Sequence, residues 1–367
     1  MLTVDQEKVE EKRVFKENED HTAVSDLTPL LSTSSAQFGE EFVIRSITQT
    51  PNPPGSPPPV HRHNVPQSQF SSFPPSQHAR VMVQCSDKAV DKIPYGIPYN
   101  ARYILLMNNL IDSIQLDLLK EYVSMEFLVL SNNRLTVGTV EGAFEGVPAL
   151  KRLYLDRNLL DAVPTDLPAS LEELRLDNNR LSVMSEAAWA RCPGLLVLSL
   201  SNNSLGNGSE SLPAAGLLRE SLLNATHLES LNLEGNRLKK VPRHLPRSLK
   251  TLNLEGNLIS SVKKAAFGTL KNLEHLGLAR NKIFKVAPGA FRTLPVLHQL
   301  DLCHNSLRHV PRQLPEALRT VALNHNRIKS VPRDAFCWGN KSVSLNVSKQ
   351  LVPLQMCSLI GNFWFCL

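Results

Sequence analysis

The sequence predicts an α/β solenoid, a leucine-rich repeat arc with a parallel sheet on its concave side and irregular, 3-10 or extended segments on its convex side. Three observations carry that expectation. From residue 101 the pattern LxxLxLxxNxL returns ten times, marked by Asn109, Asn133, Asn158, Asn179, Asn203, Asn236, Asn257, Asn281, Asn305 and Asn326. The intervals are 24, 25, 21, 24, 33, 21, 24, 24 and 21 residues, so a single unit recurs with a variable return. The returns themselves fall into two chemical types. One such match would be weak evidence, but ten in register define a repeat architecture.

Each part of the pattern has a mechanical reason. In LEELRLDNN, Leu171, Leu174 and Leu176 point into the solenoid while the residues between them alternate outward, as in a short strand. Ten such strands stack in parallel. The asparagine turns the chain inward, and its amide both donates and accepts, so that successive asparagines form a buried ladder against backbone groups of neighbouring turns.

Longer returns, of 24 or 25 residues, carry an aromatic followed by a second apolar anchor: Phe144 with Val147, Phe267 with Leu270 and Phe291 with Leu294. This spacing predicts a helical or 3-10 turn packed on the convex side. The 21-residue returns carry VPxxLP instead, at Val163 to Pro168, Val241 to Pro246 and Val310 to Pro315. Two prolines fix φ and remove donors, so these returns are predicted to be extended. The 33-residue interval inserts GNGSESLPAAG, a loop expected to project from one edge.

The domain reading follows. Residues 1–80 form a Ser/Pro-rich leader predicted to be disordered, 81–100 a degenerate N-terminal cap, 101–336 the ten repeats, and 337–367 a non-repeat tail that caps poorly. The net charge of +6 is uneven: 7 of the 40 Lys+Arg and 10 of the 34 Asp+Glu lie in residues 1–80, leaving 33 against 24 in the remainder. A field of that size suits sulfated glycans or acidic proteins, and without an arginine-rich run or interleaved aromatics no nucleic-acid partner is expected. No apolar h-region follows Met1 and no transmembrane run is present, so neither a signal peptide nor a membrane span is read from this chain.

Candidate ligand contacts are the outward residues of the middle strands: Arg152, Tyr154 and Asp156; Glu173, Arg175 and Asp177; Ser230, Asn232 and Glu234; Thr251, Asn253 and Glu255. They form a polar, mostly acidic concave lane. Basic residues concentrate on returns and turns, at Lys239, Lys240, Arg243, Arg247, Lys263, Lys264, Arg308, Arg312 and Arg333, either as a solvated convex face or as a glycosaminoglycan groove. Sequons stand at Asn202, Asn207, Asn224, Asn340 and Asn346, with Asn207 inside the insertion the strongest acceptor. Among the cysteines, Cys192 reads as a small buried anchor and Cys303 as a concave-facing thiol, while Cys337, Cys357 and Cys366 would be able to pair among themselves. His304, His309 and His325 read as surface residues, not metal ligands, and the usual hydrolase, nucleotide and metalloprotease motifs are missing. The chain therefore reads as a binding protein without catalytic residues, metal or cofactor.

The alternating 21- and 24-residue units, the VPxxLPxSLxxLxLxxN returns and the segment VQCSDKAVDKIPYGIPYNARYILLMNNLI together resemble the small leucine-rich repeat proteoglycans, and podocan-like members in particular, over residues 81 to 336. The resemblance implies a secreted, N-glycosylated protein of the extracellular matrix whose concave strands, here RLYLD and ELRLD, bind fibrillar collagen or other matrix proteins and, in some members, growth factors. The same surface would serve a growth-factor or receptor-binding regulatory module, and a non-secreted scaffold is the remaining alternative. The chain departs from the family pattern at its cap, where only Cys85 matches one of four clustered cysteines, and after Phe336, where the asparagine ladder stops. No Ser-Gly dipeptide occurs, so glycosaminoglycan attachment of the usual kind is not expected.

Overall fold

The computed structural model describes residues 80–182, 191–206 and 225–331, together with the backbone of two short strands, 42–46 and 344–346. Two compact units divide the chain: Met1–Arg45 with Asn52–Met82, and Ser46–Pro51 with Val83–Leu367. In the first, the described elements are β1 (Phe42–Ser46), whose last residue falls in the second unit, and the start of β2 (Arg80–Gln84). The leader read as disordered otherwise lies outside the described residues.

The second unit is the solenoid. Its strands are β3 (Ala101–Leu105), β4 (Phe127–Val129), β5 (Arg152–Tyr154), β6 (Glu173–Arg175), β7 (Val197–Ser199), β8 (Ser230–Asn232), β9 (Thr251–Asn253), β10 (Ser261–Val262), β11 (His275–Gly277), β12 (Lys285–Val286), β13 (Gln299–Asp301), β14 (Thr320–Ala322) and β15 (Ser344–Asn346). All but β10 and β12 pair with their sequence neighbours in one parallel sheet. The register is set by the central apolar residue of each strand: Leu153 stands opposite Leu174, Leu174 opposite Leu198, and Leu252 opposite Leu276. Each coil buries three leucines or their equivalents at that spacing, so the core is a continuous column that no single coil closes alone. Leu171, Leu174 and Leu176 are wholly buried, as the alternation requires.

The asparagine ladder forms as its chemistry predicts. Asn133, for instance, donates from Nδ2 to the carbonyls of Leu106 at 3.0 Å and Leu130 at 2.9 Å, and accepts at Oδ1 from the Ile111 amide at 3.0 Å. The residue just before the ladder position turns through the left-handed region, with φ of 57° at Asn108, 53° at Arg157, 51° at Arg280 and 52° at His304. Asparagine tolerates that conformation, and two coils use Gly235 and Gly256 there instead.

The proline-rich returns are extended, as expected, with isolated turns and no helix. The longer returns contain the 3-10 helix Leu118–Glu121, one α-helical turn at Val137–Val140, and single turns such as Leu270 N–H to Phe267 C=O at 3.0 Å. Phe144, Phe267 and Phe291 are buried beneath them, the last two stacked with ring centroids 5.9 Å apart. Two features depart from the sequence reading. A second, two-stranded parallel sheet joins β10 to β12 on the return side, with Ser261 opposite Lys285 and the β-branched Val262 opposite Val286. The sheet also runs past residue 336: β15 pairs with β14, Leu345 opposite Val321, within the stretch read as a non-repeat tail. Its strand keeps the apolar spacing at a 24-residue interval, although Gln350 stands where a ladder asparagine would.

The root of the long insertion is crowded. A Cβ on Gly206 would overlap the Arg237 carbonyl group, so that position needs glycine, whereas at Gly235 a Cβ would displace only the side-chain amide of Asn202. The projecting loop expected beyond Gly206 lies outside the described residues.

Candidate functional site

The outward residues of β5, β6, β8 and β9 do form a lane, but its members differ in what they offer a ligand. Glu173 is the hub. Its Oε1 accepts from Arg175 Nε at 2.9 Å and from the Tyr154 hydroxyl at 2.9 Å, and Arg152 Nε lies 3.7 Å from its Oε2. Arg152 is the exposed end of this network, and exposed pairs of this kind contribute little to stability, which leaves its guanidinium available to a partner at small cost.

Tyr154 is the main correction to the lane as read from sequence. Its ring is only 3% exposed, packed edge-on against Phe127 at 4.8 Å and covered on the other side by the Arg175 guanidinium at 4.5 Å. Tyr103 continues the series, edge-on to Phe127 at 6.3 Å. Tyr103 and Phe127 escaped the sequence reading, although both occupy outward positions and Tyr103 is registered opposite Phe127. The lane therefore begins as an aromatic ladder and becomes charged at Arg152, Glu173 and Arg175.

Asp156 and Asp177 also differ from the expectation of open ligand contacts. Asp156 accepts from the Asp177 amide at 3.0 Å and from the Ser131 hydroxyl at 3.1 Å, while Asp177 accepts from the Ser199 and Ser201 hydroxyls at 2.6 and 2.7 Å. Both carboxylates are spent on the sheet. Burial, and then the neighbouring Asp177 carboxylate, pushes the Asp156 carboxyl up from the ordinary range to about 7. Because the folded state holds the proton more tightly than the unfolded chain, this contribution to stability is complete below about pH 4 and is lost as pH rises toward 7. Asp156→Asn keeps an acceptor for the Asp177 amide and cannot ionise. Urea titrations are expected to show the variant gaining about 1–3 kcal/mol on wild type between pH 4 and pH 7.5; parallel pH profiles would refute this account.

On the next coils Asn232 and Asn253 are turned to the backbone, accepting from the Glu234 amide at 3.1 Å and the Glu255 amide at 3.0 Å. Asn253 Nδ2 also donates to Glu234 Oε2 at 3.3 Å. Ser230 and Thr251 are half-buried outward residues of the same strands. Burial and then the Glu234 charge raise the Glu255 carboxyl, and Arg280 lies 3.3 Å from it. Beyond β9 the lane passes His275, Gln299 and Asp301. Cys303 follows; burial and the Asp301 carboxylate push its thiol up to about 11, which makes it a poor nucleophile and not the reactive group that an open thiol would be. Cys192 is buried and bonded to the Pro168 carbonyl at 3.5 Å, the anchor role expected of it.

Of the sequons, Asn202 is exposed in its left-handed turn. Asn207, Asn224 and Asn340 lie outside the described residues, as do Cys337, Cys357, Cys366 and Arg333, and Asn346 falls on β15. His304 and His325 stack face to face at 4.0 Å, and among the described residues no group of three or more His, Cys, Asp or Glu is placed to hold a metal ion. No described helix is long and apolar enough to cross a membrane.

Comparison with known proteins agrees with this construction. The family model described as Leucine rich repeat matches residues 100–160, 226–283 and 247–307. Keratocan of Danio rerio is 31% identical over 257 residues, covering 70% of this chain and 71% of keratocan. Lumican of Gallus gallus is 31% identical over 255 residues, covering 69% and 71%. Podocan of Mus musculus is 35% identical over 297 residues, covering 76% of this chain but only 48% of podocan. Among solved structures, a chain from the octameric complex of Latrophilin 3, Unc5D and FLRT2 superposes with a TM-score of 0.56 at 26% identity, covering 72% of this chain and 74% of its own. The Leptospira interrogans LRR protein LIC12759, at 23% identity and a TM-score of 0.52 with 74% of each chain covered, shares the fold. With ten asparagine-laddered coils and identities above 30% across more than two thirds of full-length keratocan and lumican, this chain belongs to the small leucine-rich repeat proteoglycan family.

Proposed function

We propose that the chain is a secreted, non-catalytic matrix-binding protein, and that the concave surface around Arg152, Glu173 and Arg175 binds fibrillar collagen or another extended matrix protein. The observation that carries this reading is the join between the aromatic ladder Tyr103–Phe127–Tyr154 and the Glu173-centred charge network. Phe127 and Tyr154 are buried, so the rings form a rigid floor that orders Arg152, Glu173 and Arg175 before binding, and these charged groups meet the partner. Membership of the keratocan, lumican and podocan family supports a matrix partner, and N-glycosylation at the exposed Asn202 belongs to the same reading. A receptor or growth-factor ectodomain is the second candidate for this face, favoured by the similarity to a chain of the Latrophilin 3, Unc5D and FLRT2 complex.

The test is sedimentation of the full, purified chain with fibrillar collagen. Saturable binding is expected, with Arg152→Glu weakening it about tenfold by placing a like charge beside Glu173. Absence of saturable binding by the folded wild-type chain would remove collagen from the reading, and capture of a soluble ectodomain by the same face would then favour the second candidate.

A further inference from the structure

Charge is divided along the solenoid in a way the concave lane does not use. Residues 81–182 hold 10 Lys+Arg against 14 Asp+Glu, whereas residues 225–331 hold 18 against 6, so the net charge changes from −4 to +12. Within the second stretch the excess is localised. The four residues that follow each ladder asparagine, in the coils of Asn236, Asn257, Asn281, Asn305 and Asn326, make 20 positions with eight Lys or Arg and no Asp or Glu. The same positions in the five preceding coils hold two basic and two acidic residues.

The structure places these positions in columns. Ser261 pairs with Lys285, and His309 is bridged to Ser330. The Phe284 amide donates to Ser260 C=O at 3.1 Å, and the Lys329 amide donates to Arg308 C=O at 3.1 Å. Lys239, Lys240, Lys282, Lys285, Arg308 and Lys329 therefore succeed one another along one edge, about 19 Å long at the ~4.8 Å spacing of paired strands. All are exposed, and among the described residues none of the eight basic side chains forms an ion pair. Elsewhere in the same coils Lys250 and Arg280 are neutralised by Glu229 and Glu255. In the middle of the strip Phe284 is 60% exposed, an apolar platform for the face of a sugar ring.

We propose that this edge is a binding strip for a sulfated glycosaminoglycan, separate from the concave lane. Six exposed cations along one edge, interrupted only by the uncharged Ser260 and Ser261 of the Asn257 coil and by no carboxylate, match a linear polyanion, whose bound counterions are released on contact. Single-stranded nucleic acid fits less well, because its binding grooves stack successive bases on several aromatic rings and this strip has one.

The test is heparin affinity of the full chain across a salt series, with circular dichroism and thermal unfolding as controls for folding. Replacing Lys239, Lys240, Lys282, Lys285 and Arg308 by Ser is expected to weaken binding about tenfold or more at 0.15 M salt and to flatten the salt dependence. Replacing Arg243, Arg247, Lys263, Lys264 and Lys271 by Ser removes as many charges away from the strip and is expected to change affinity less than about threefold. Fully desulfated heparin should fail to compete. Equal losses in the two variants, an unchanged strip variant, effective competition by the desulfated polymer, or tighter binding of an oligo-dT of matching length would each overturn the proposal. Collagen sedimentation of the strip variant is expected to match wild type, which keeps this outcome apart from that of the concave face.

Discussion

Asn257→Ala is expected to destabilise the repeat domain by about 3 kcal/mol or more, because five hydrogen bonds within its own coil and to the preceding one pass through this one amide. Its Oδ1 accepts from the Asn236 amide at 3.1 Å and the Leu238 amide at 2.9 Å. Its Nδ2 donates to the carbonyls of Leu233 at 2.9 Å, Leu254 at 3.0 Å and Glu255 at 3.0 Å. Alanine leaves two amide donors with no partner in a site that is 2% exposed, and the desolvation of each is worth about 1–3 kcal/mol. Asn257→Asp separates the two halves of the argument: the acceptor survives, the donor is lost and a charge is buried, so the variant should recover stability on acidification. Chemical denaturation followed by circular dichroism measures both. An Ala variant within about 0.5 kcal/mol of wild type would mean that the ladder follows from the leucine packing and does not support it.

Phe267→Ala is the second large effect, expected to cost about 3–5 kcal/mol. Phe267 is wholly buried and stacks on Phe291 in the next coil, with ring planes 20° apart. Removing it takes apolar contact from its own return and from the neighbouring one. In a solenoid each coil is held by its neighbours, so the loss falls on an interface between coils. Phe267→Leu refills part of the volume and should recover more than half of the loss. If Ala and Leu prove equally mild in thermal and urea unfolding, the aromatic return does not close the core.

What was legible in the sequence was whatever repeats within one coil. Leu171, Leu174, Leu176 and the ladder asparagines are specified by spacing, and the VPxxLP returns by the fixed φ of proline. What was not legible depends on the coil alongside. Tyr103, Phe127 and Tyr154 each look like ordinary outward strand residues, and only the parallel register turns them into one ladder of rings and buries Tyr154. Asp156 likewise reads as a solvated acid until Asp177, 21 residues on, is set against it. β15 escaped because the reading depended on asparagine, and Gln350 occupies that place.

The junction between the fifth and sixth coils has a mechanical meaning. The Leu205 amide reaches Asn236 Oδ1 at 3.4 Å, against 2.9–3.1 Å for the amides of Ile111, Leu135, Leu160, Leu181, Leu238, Ile259, Ile283 and Leu307 at the ladder asparagine of the next coil. The other bonds across the junction keep ordinary lengths, with Asn236 Nδ2 donating to the Leu200 carbonyl at 2.8 Å and the Gly206 amide donating to Asn236 C=O at 2.9 Å. In a series of coils held by near-neighbour contacts, the long insertion is thus accommodated by one lengthened ladder bond while the stack of leucines runs through unbroken, which lets the acidic and basic halves share one rigid frame.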